Sequence, residues 1–168
     1  MASYLKQYGY FTLASHFANR SNWKRDTVYP LLGFDEFLSE PSVKEFECEH
    51  GRISDWANYQ EVIRRYEQWK DEQTSEHFFC FNVTFQNHGY LTGYRCETPP
   101  HYAGGAADPD VEEYLSTVHV SDQAFQKLVE YFRQEKEPTV IVMFGDHWPR
   151  LNNEFLDTIT EQDTSAGE

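Results

Sequence analysis

The sequence predicts an α/β fold with a mainly parallel sheet flanked by helices. Two observations support this fold class: β-prone segments alternate with helical segments along the chain, and the strand segments are nearly continuous in apolar residues. The alternation indicates βαβ units, and continuous apolar strands are typical of a sheet covered on both faces. Because 168 residues allow one domain of ordinary size, we place that domain at residues 1–156 and a polar tail at 157–168.

Three segments are predicted to form strands. Residues 10–16 are aromatic and β-prone after Gly9, and residues 78–85 are nearly uninterrupted in apolar and β-prone side chains. Residues 139–144, Thr-Val-Ile-Val-Met-Phe, have the strongest strand pattern in the chain and stop at Gly145. Polar residues follow each of the three segments, at the end of the strand where a parallel sheet places its ligand.

Two long helices are predicted between these strands, and short helices at 2–8 and 26–32. The first long helix begins at the capping residue Ser54 or Asp55 and ends near residue 71. Its apolar face recurs every three or four residues: Trp56, Tyr59, Ile63, Tyr66 and Trp69. The second begins at a capping box and ends near residue 134; the box and the expected core face are Asp110 with Glu113, then Tyr114, Val118, Phe125, Leu128, Val129 and Phe132. The polar segment 39–52 and the Pro- and Gly-rich segment 95–108 are predicted to be loops.

Composition excludes several classes of protein. Fourteen Lys and Arg against 28 Asp and Glu give a net charge of −14, so we expect no nucleic-acid binding, which needs clustered basic residues. No apolar run approaches the roughly 18 residues of a membrane-spanning helix. The three cysteines are odd in number and none has the C-x-x-C spacing, so neither a disulfide framework nor a zinc knuckle is indicated.

The polar residues that follow the strands are the candidates for a functional site. In open parallel sheets, ligands bind beyond the carboxyl ends of the strands. His16 follows the first strand, His88 follows the second, and Asp146 with His147 follows the third. Each of them alone fits an ordinary turn or a hydrogen-bonded surface residue, but a histidine after every strand favours a shared site.

The side-chain chemistry indicates a site for a metal and a phosphate. Asp146 and His147 offer oxygen and nitrogen donors that suit a zinc- or manganese-type cation. Arg25 carries a guanidinium that suits phosphate oxygens, and Trp23 can cover an organic group. A surface arginine and a tryptophan that covers the sheet are the alternative interpretation. The sequence has no G-x-S-x-G, no phosphate-binding loop motif and no cysteine in a catalytic setting.

Three motifs in order resemble the lipoteichoic acid synthase branch of the sulfatase and alkaline phosphatase superfamily, over about residues 2–156. They are His16 with Trp23-Lys24-Arg25, then Asn82-Val-Thr-Phe-Gln-Asn-His88, then Phe144-Gly-Asp-His147. The resemblance implies a sulfatase/alkaline-phosphatase-like fold that is incomplete here, with 1–156 as part of a catalytic domain. The C/S-x-P-x-R motif of true sulfatases is not found in the sequence.

The resemblance also implies the roles of the candidate residues. Asp146 and His147 would bind a divalent metal, usually manganese in that family. The residues placed around a glycerol phosphate are His16, Trp23, Arg25 and His88. The family's nucleophile is a threonine that precedes the equivalent of His16 in the chain, and no matching segment is found here. We therefore expect this chain to be inactive on its own.

The function that the resemblance implies is that of a metal-dependent phosphoglycerol transferase, or a related phosphodiester or sulfate ester hydrolase, of which this chain is a fragment. Its substrates would be glycerophosphate lipids or polymers of the cell envelope. The family acts on the outer face of bacterial membranes, which implies anchoring through segments outside this chain. An interrupted sheet would also expose a strand edge and favour self-association. The alternative is a non-catalytic module that binds a phosphate-bearing lipid or polymer.

Overall fold

The computed structural model describes residues 1–39, 47–49, 51–89, 96, 108–147 and 149–160. The chain divides into two compact units, Met1–His88 and Gly89–Glu168. The predicted loop 95–108 lies almost wholly outside the described residues. None of the described helices has the length and apolar character needed to cross a bilayer.

The first unit is built on a three-stranded parallel sheet. The central strand β1 (Tyr10–Ser15) pairs with β2 (Glu36–Leu38) on one side and with β5 (His77–Asn82) on the other. Leu13 and Ala14 of β1 have no exposed surface, as expected for a central strand covered on both faces. The predicted parallel sheet with flanking helices is confirmed.

The helices of the first unit follow the predicted order. They are α1 (Ala2–Lys6), a 3-10 turn (Asn22–Lys24), α2 (Arg25–Leu31) and α3 (Asp55–Glu72). Helix α3 begins where its capping residue predicts, because the Ser54 hydroxyl oxygen accepts a hydrogen bond from the Ala57 backbone N–H at 3.0 Å. Its predicted end near residue 71 is confirmed within one residue.

Helix α3 covers one face of the sheet with aromatic side chains. Tyr59, Tyr66 and Trp69 of the predicted apolar face are buried, and the rings of Tyr66 and Trp69 each lie 5.4 Å from the ring of Phe78 on β5. Buried Arg65 lies 4.5 Å above the Phe11 ring of β1. These contacts join the longest helix of the unit to both β1 and β5.

A short hairpin lies in the segment that was predicted to be a loop. Strands β3 (Cys48–Glu49) and β4 (Arg52–Ile53) pair antiparallel. Gly51 between them adopts a φ of 72°, a left-handed conformation that glycine takes without the cost imposed on other residues. Ile53 packs with Phe17 and Ala57 in a buried cluster. The loop prediction is wrong at this hairpin because two-residue strands carry too little periodicity to be recognised.

The second unit contains α4 (Pro109–Arg133) and α5 (Asn153–Thr160). The cap of α4 is Asp108, whose carboxylate accepts hydrogen bonds from the backbone N–H groups of Asp110 and Val111 at 2.9 and 3.3 Å. The predicted capping box at Asp110 is therefore wrong. The physical reason is the proline after Asp108, which lacks an N–H and fits the first helical position.

The buried face of α4 also differs from the predicted one. Among the predicted core residues Leu128 is buried, whereas Val118 is exposed. The buried positions carry small or polar side chains for the most part: Val111, Glu113, Ser116, Thr117, Ser121, Ala124 and Leu128. Ser116 and Thr117 tolerate burial because their hydroxyls donate to the backbone carbonyls of Glu112 and Tyr114 at 2.8 and 2.7 Å.

Residues 139–144, the strongest strand pattern in the sequence, do not form a strand. No described strand pairs with them, and the side chains of Val140 and Phe144 are 89% and 73% exposed. An apolar segment becomes a strand only when its backbone N–H and C=O groups pair with those of a neighbour. The strand prediction is wrong here because composition alone does not supply that neighbour.

Candidate functional site

The carboxyl ends of β1 and β5 place two chain segments side by side. The paired strands end level with each other, since Ser15 is opposite Asn82 in the register. The Ser15 hydroxyl donates a hydrogen bond to the Asn82 side-chain oxygen at 2.6 Å. His16 and Val83 therefore leave the sheet as neighbours, at the edge where parallel sheets bind ligands.

His16 is held rigidly at this edge. It is 2% exposed, its backbone N–H donates to the Leu38 carbonyl at 2.9 Å, and its ring Nδ1 lies 3.0 Å from the Val83 carbonyl oxygen. A carbonyl oxygen only accepts hydrogen bonds, so this contact assigns the ring proton to Nδ1. In the neutral ring Nε2 then carries the lone pair, and it makes no hydrogen bond with a described residue.

The environment of His16 favours that neutral ring. Burial is the largest cause and lowers the pKa of His16 below its ordinary value; the hydrogen bond to Val83 opposes this shift. The positive charge of Arg25 and the nearby His88 lower the pKa further.

Arg25 and Trp23 are presented by an unusual turn. Trp23 and Lys24 are consecutive non-glycine residues with φ of 56° and 52°, a left-handed conformation that costs energy for residues with a side chain. Trp23 is 84% exposed, and half-buried Arg25 begins α2, with its Nη1 donating to the Asn22 carbonyl at 3.4 Å. Strain of this kind, beside an exposed indole, is typical of segments shaped for a ligand.

Phe85 links the two histidines after the strands. Its ring meets the His16 ring edge-on at 5.4 Å, and it stacks on the His88 ring at 4.8 Å. The His88 backbone N–H donates to the Phe85 carbonyl at 3.2 Å. Through the Phe85 ring the structure brings His16 and His88 together from two separate segments, and the charge of Arg25 acts on His16.

Arg52 and Gln86 belong to the same neighbourhood, and neither was predicted to be a site residue, although Gln86 lies in the second motif. The Arg52 guanidinium carbon lies 5.3 Å from the centroid of the Phe85 ring, and its Nη1 donates to the Gln86 carbonyl at 3.2 Å. Gln86 is 1% exposed, and its side-chain oxygen accepts a hydrogen bond from the Asp55 backbone N–H at 2.9 Å. Arg52 lies in an unrecognised hairpin, so no periodic pattern pointed to it.

Asp146 and His147 lie in the second unit. The His147 Nε2 and an Asp146 carboxylate oxygen are 3.6 Å apart, and the two side chains are 73% and 82% exposed. Within the described residues, no group of three or more His, Cys, Asp and Glu side chains is placed to hold a metal ion. The pair itself has the oxygen and nitrogen donors that manganese and zinc accept, but two ligands are fewer than such an ion needs.

Comparisons with known proteins agree with this architecture. A family model described as Sulfatase matches residues 1–168. A Rhizobium meliloti protein whose name connects it with cyclic beta-1,2-glucan modification is 29% identical over 162 residues, which cover 94% of this chain and 25% of that protein. The chain thus spans a quarter of that relative's length.

Two solved structures share the fold. The lipoteichoic acid synthase LtaP from Listeria monocytogenes matches with a TM-score of 0.63 and 18% identity, over 79% of this chain and 32% of that chain. The Streptococcus pyogenes phosphoglycerol transferase GacH, solved in complex with sn-glycerol-1-phosphate, matches with a TM-score of 0.57 and 22% identity, over 77% of this chain and 34% of that chain.

Proposed function

This chain belongs to the sulfatase family, and we propose that it supplies the phosphate-binding part of a phosphoglycerol transferase site. The substrate would carry a glycerophosphate group and belong to a lipid or polymer of the cell envelope. The chain is similar in fold to a phosphoglycerol transferase bound to sn-glycerol-1-phosphate. Because it spans a third of that enzyme, the activity of a whole protein is part of the proposal.

The proposal depends on the shared contact of His16 and His88 with Phe85, where the charge of Arg25 also acts on His16. Arg25 offers a planar set of N–H donors that matches two phosphate oxygens, and His88 is exposed at the same place. Negative charge that develops on the phosphoryl oxygens during transfer would be stabilised by these fixed donors. Neutral His16, whose Nε2 accepts hydrogen bonds, would orient a hydroxyl of the glycerol.

Trp23 would bind the carbon side of the same ligand. Its indole is 84% exposed two residues before Arg25, so a phosphate held by Arg25 would bring the glycerol carbons next to an aromatic surface. An amphipathic ring of this kind offers an apolar face and one N–H donor. It therefore suits glycerol, which has both C–H and hydroxyl groups.

Asp146 and His147 would contribute two ligands to a divalent metal. The family resemblance predicts that this metal is manganese. When bound, the metal would polarise a phosphoryl oxygen. Other ligands would have to complete the coordination, because the pair provides two. The threonine nucleophile, the membrane anchor and self-association also stay predictions.

Binding of sn-glycerol-1-phosphate, measured by titration calorimetry, tests the proposal. We expect Arg25→Gln and His88→Asn each to weaken binding by about tenfold or more, since each removes a charged or strongly polar donor. His119→Asn on α4 is the matched control and should bind as the wild type does. Equal affinity in all four proteins would show that this edge of the sheet is not the phosphate site.

An assay of phosphodiester hydrolysis distinguishes a fragment of an enzyme from a binding module. With bis-p-nitrophenyl phosphate as the substrate and manganese added, the resemblance leads us to expect no hydrolysis by this chain alone. Hydrolysis that Asp146→Ala abolishes would instead show a working metal site in the chain. Tight binding of a glycerophosphate polymer without hydrolysis would favour the non-catalytic module.

A further inference from the structure

We infer that Arg52 is a second arginine of the anion-binding site and that it shares the ring of Phe85 with His88. The inference rests on the proposed function and adds a residue that none of the three sequence motifs contains. It begins from the surroundings of Phe85, where three basic groups lie within 5.4 Å of the ring centroid: His16, Arg52 and His88.

The ring of Phe85 contacts Arg52 and His88 in two different ways. The face of an aromatic ring is negative and attracts a guanidinium. Arg52 lies over the ring, and His88 stacks on it at an interplanar angle of 29°. Arg52 and His88 therefore share one aromatic neighbour, and an anion that lies along this ring would meet the donors of both.

The hydrogen bonds of Arg52 leave most of its donors available. A guanidinium carries five N–H donors, and Arg52 uses Nη1 for the Gln86 carbonyl. Gln86 is itself fixed in position, because it is buried and its side-chain oxygen accepts a hydrogen bond from the backbone N–H of Asp55 at the start of α3. Arg52 is half-buried, so its remaining donors have a fixed position and partial access to solvent.

The charges around Arg52 favour the binding of an anion that is not part of this chain. The chain has 28 acidic residues, and Arg64 and Arg65 on α3 each pair with a glutamate. By contrast, neither Arg25 nor Arg52 forms an ion pair with a carboxylate in the described part of the chain. Arg25 acts electrostatically on His16, and Arg52 lies over the ring on which His88 stacks, so this part of a strongly acidic protein carries two positive charges without an acidic partner.

Titration of the full chain with sn-glycerol-1-phosphate at several salt concentrations tests the inference. We expect Arg52→Gln to weaken binding by about tenfold. We also expect a shallower dependence of affinity on salt, because one cation fewer faces the ligand and salt screens such charges. Arg25→Gln should give both effects, and Arg133→Gln, at the exposed end of α4, should give neither.

The outcomes distinguish a failure of the inference about Arg52 from a failure of the proposed function. Weaker binding by Arg25→Gln together with unchanged binding by Arg52→Gln would overturn the role of Arg52 and leave the proposed function standing. Weaker binding by Arg52→Gln with the salt dependence of the wild type would also overturn it, since the residue would then act only by bonding Gln86. Absence of binding by the wild type would overturn both proposals.

Discussion

Two segments of this chain have similar apolar sequences and opposite surroundings. β1 lies between β2 and β5, and its Leu13 has no exposed surface, whereas Val140 in the segment 139–144 is 89% exposed. The polar residues after them differ in the same way: His16 is 2% exposed, and the His147 side chain is 73% exposed. Pairing with neighbouring strands, rather than apolar composition, is what holds the side chain after a strand in a fixed position.

The hydrogen bonds show how that pairing acts on the site. His16 is bonded through its backbone to the residue that ends β2 and through its ring to the residue after β5. Both neighbours of β1 therefore determine where the ring lies. The described contact between Asp146 and His147 joins two adjacent residues, so it does not define their position relative to any sheet.

The largest expected effect comes from truncating one buried and one exposed apolar side chain. Leu13→Ala should lower the free energy of unfolding by about 2–5 kcal/mol, because it removes buried methyl groups and leaves a cavity. Val140→Ala should change it by less than about 0.5 kcal/mol, as is usual at exposed positions. Urea unfolding followed by circular dichroism measures both. A loss of several kcal/mol for Val140→Ala would show that the segment 139–144 is packed in solution.

A smaller effect is expected where β2 is held in register beside β1. The Asp35 carboxylate accepts hydrogen bonds from the Thr12 backbone N–H and hydroxyl at 2.9 and 2.8 Å, and it pairs with Lys6. Asp35→Asn replaces one acceptor by a donor and removes the charge. We expect a loss of about 1–2 kcal/mol in the free energy of unfolding at neutral pH.

The pH dependence provides the check on Asp35. Burial alone would raise the pKa of Asp35, but the bonds and charge from Lys6 and Thr12 outweigh it and lower the pKa below its ordinary value. A carboxyl with a lowered pKa in the folded state contributes stability above its unfolded pKa and loses it as pH falls through the folded pKa. The difference between wild type and Asp35→Asn should therefore shrink below about pH 4. A difference that stays constant to lower pH would contradict the role of the charge.

The sequence predicts the first unit well because local rules and tertiary packing agree there. The cap at Ser54, the aromatic face of α3 and the two histidines after the strands all follow from patterns of one element each. No local pattern pointed to the contact between Arg52 and Phe85, although Phe85 lies in the second motif, because that contact joins a hairpin to the segment after β5. The strand prediction for residues 139–144 is wrong for the opposite reason: the local pattern is strong, but a strand also requires a neighbouring strand with which to pair.

The smallest expected effect concerns the protonation of His16. Burial lowers the pKa of His16, with further lowering by Arg25 and His88. As pH falls below about 6.5, the unfolded chain takes up a proton at this position before the folded chain does, so the free energy of unfolding decreases. The free energy of unfolding decreases until the pH reaches the pKa of His16 in the folded chain, and below that pH this contribution is constant. His16→Gln keeps a polar side chain without this titration. Its free energy of unfolding should fall less between pH 7 and 5, by at most about 1.4 kcal/mol for each unit by which folding lowers the pKa of His16. Denaturant unfolding of both proteins across this range measures the difference, and parallel curves would show that the ring is as accessible to protons in the folded chain as in the unfolded one.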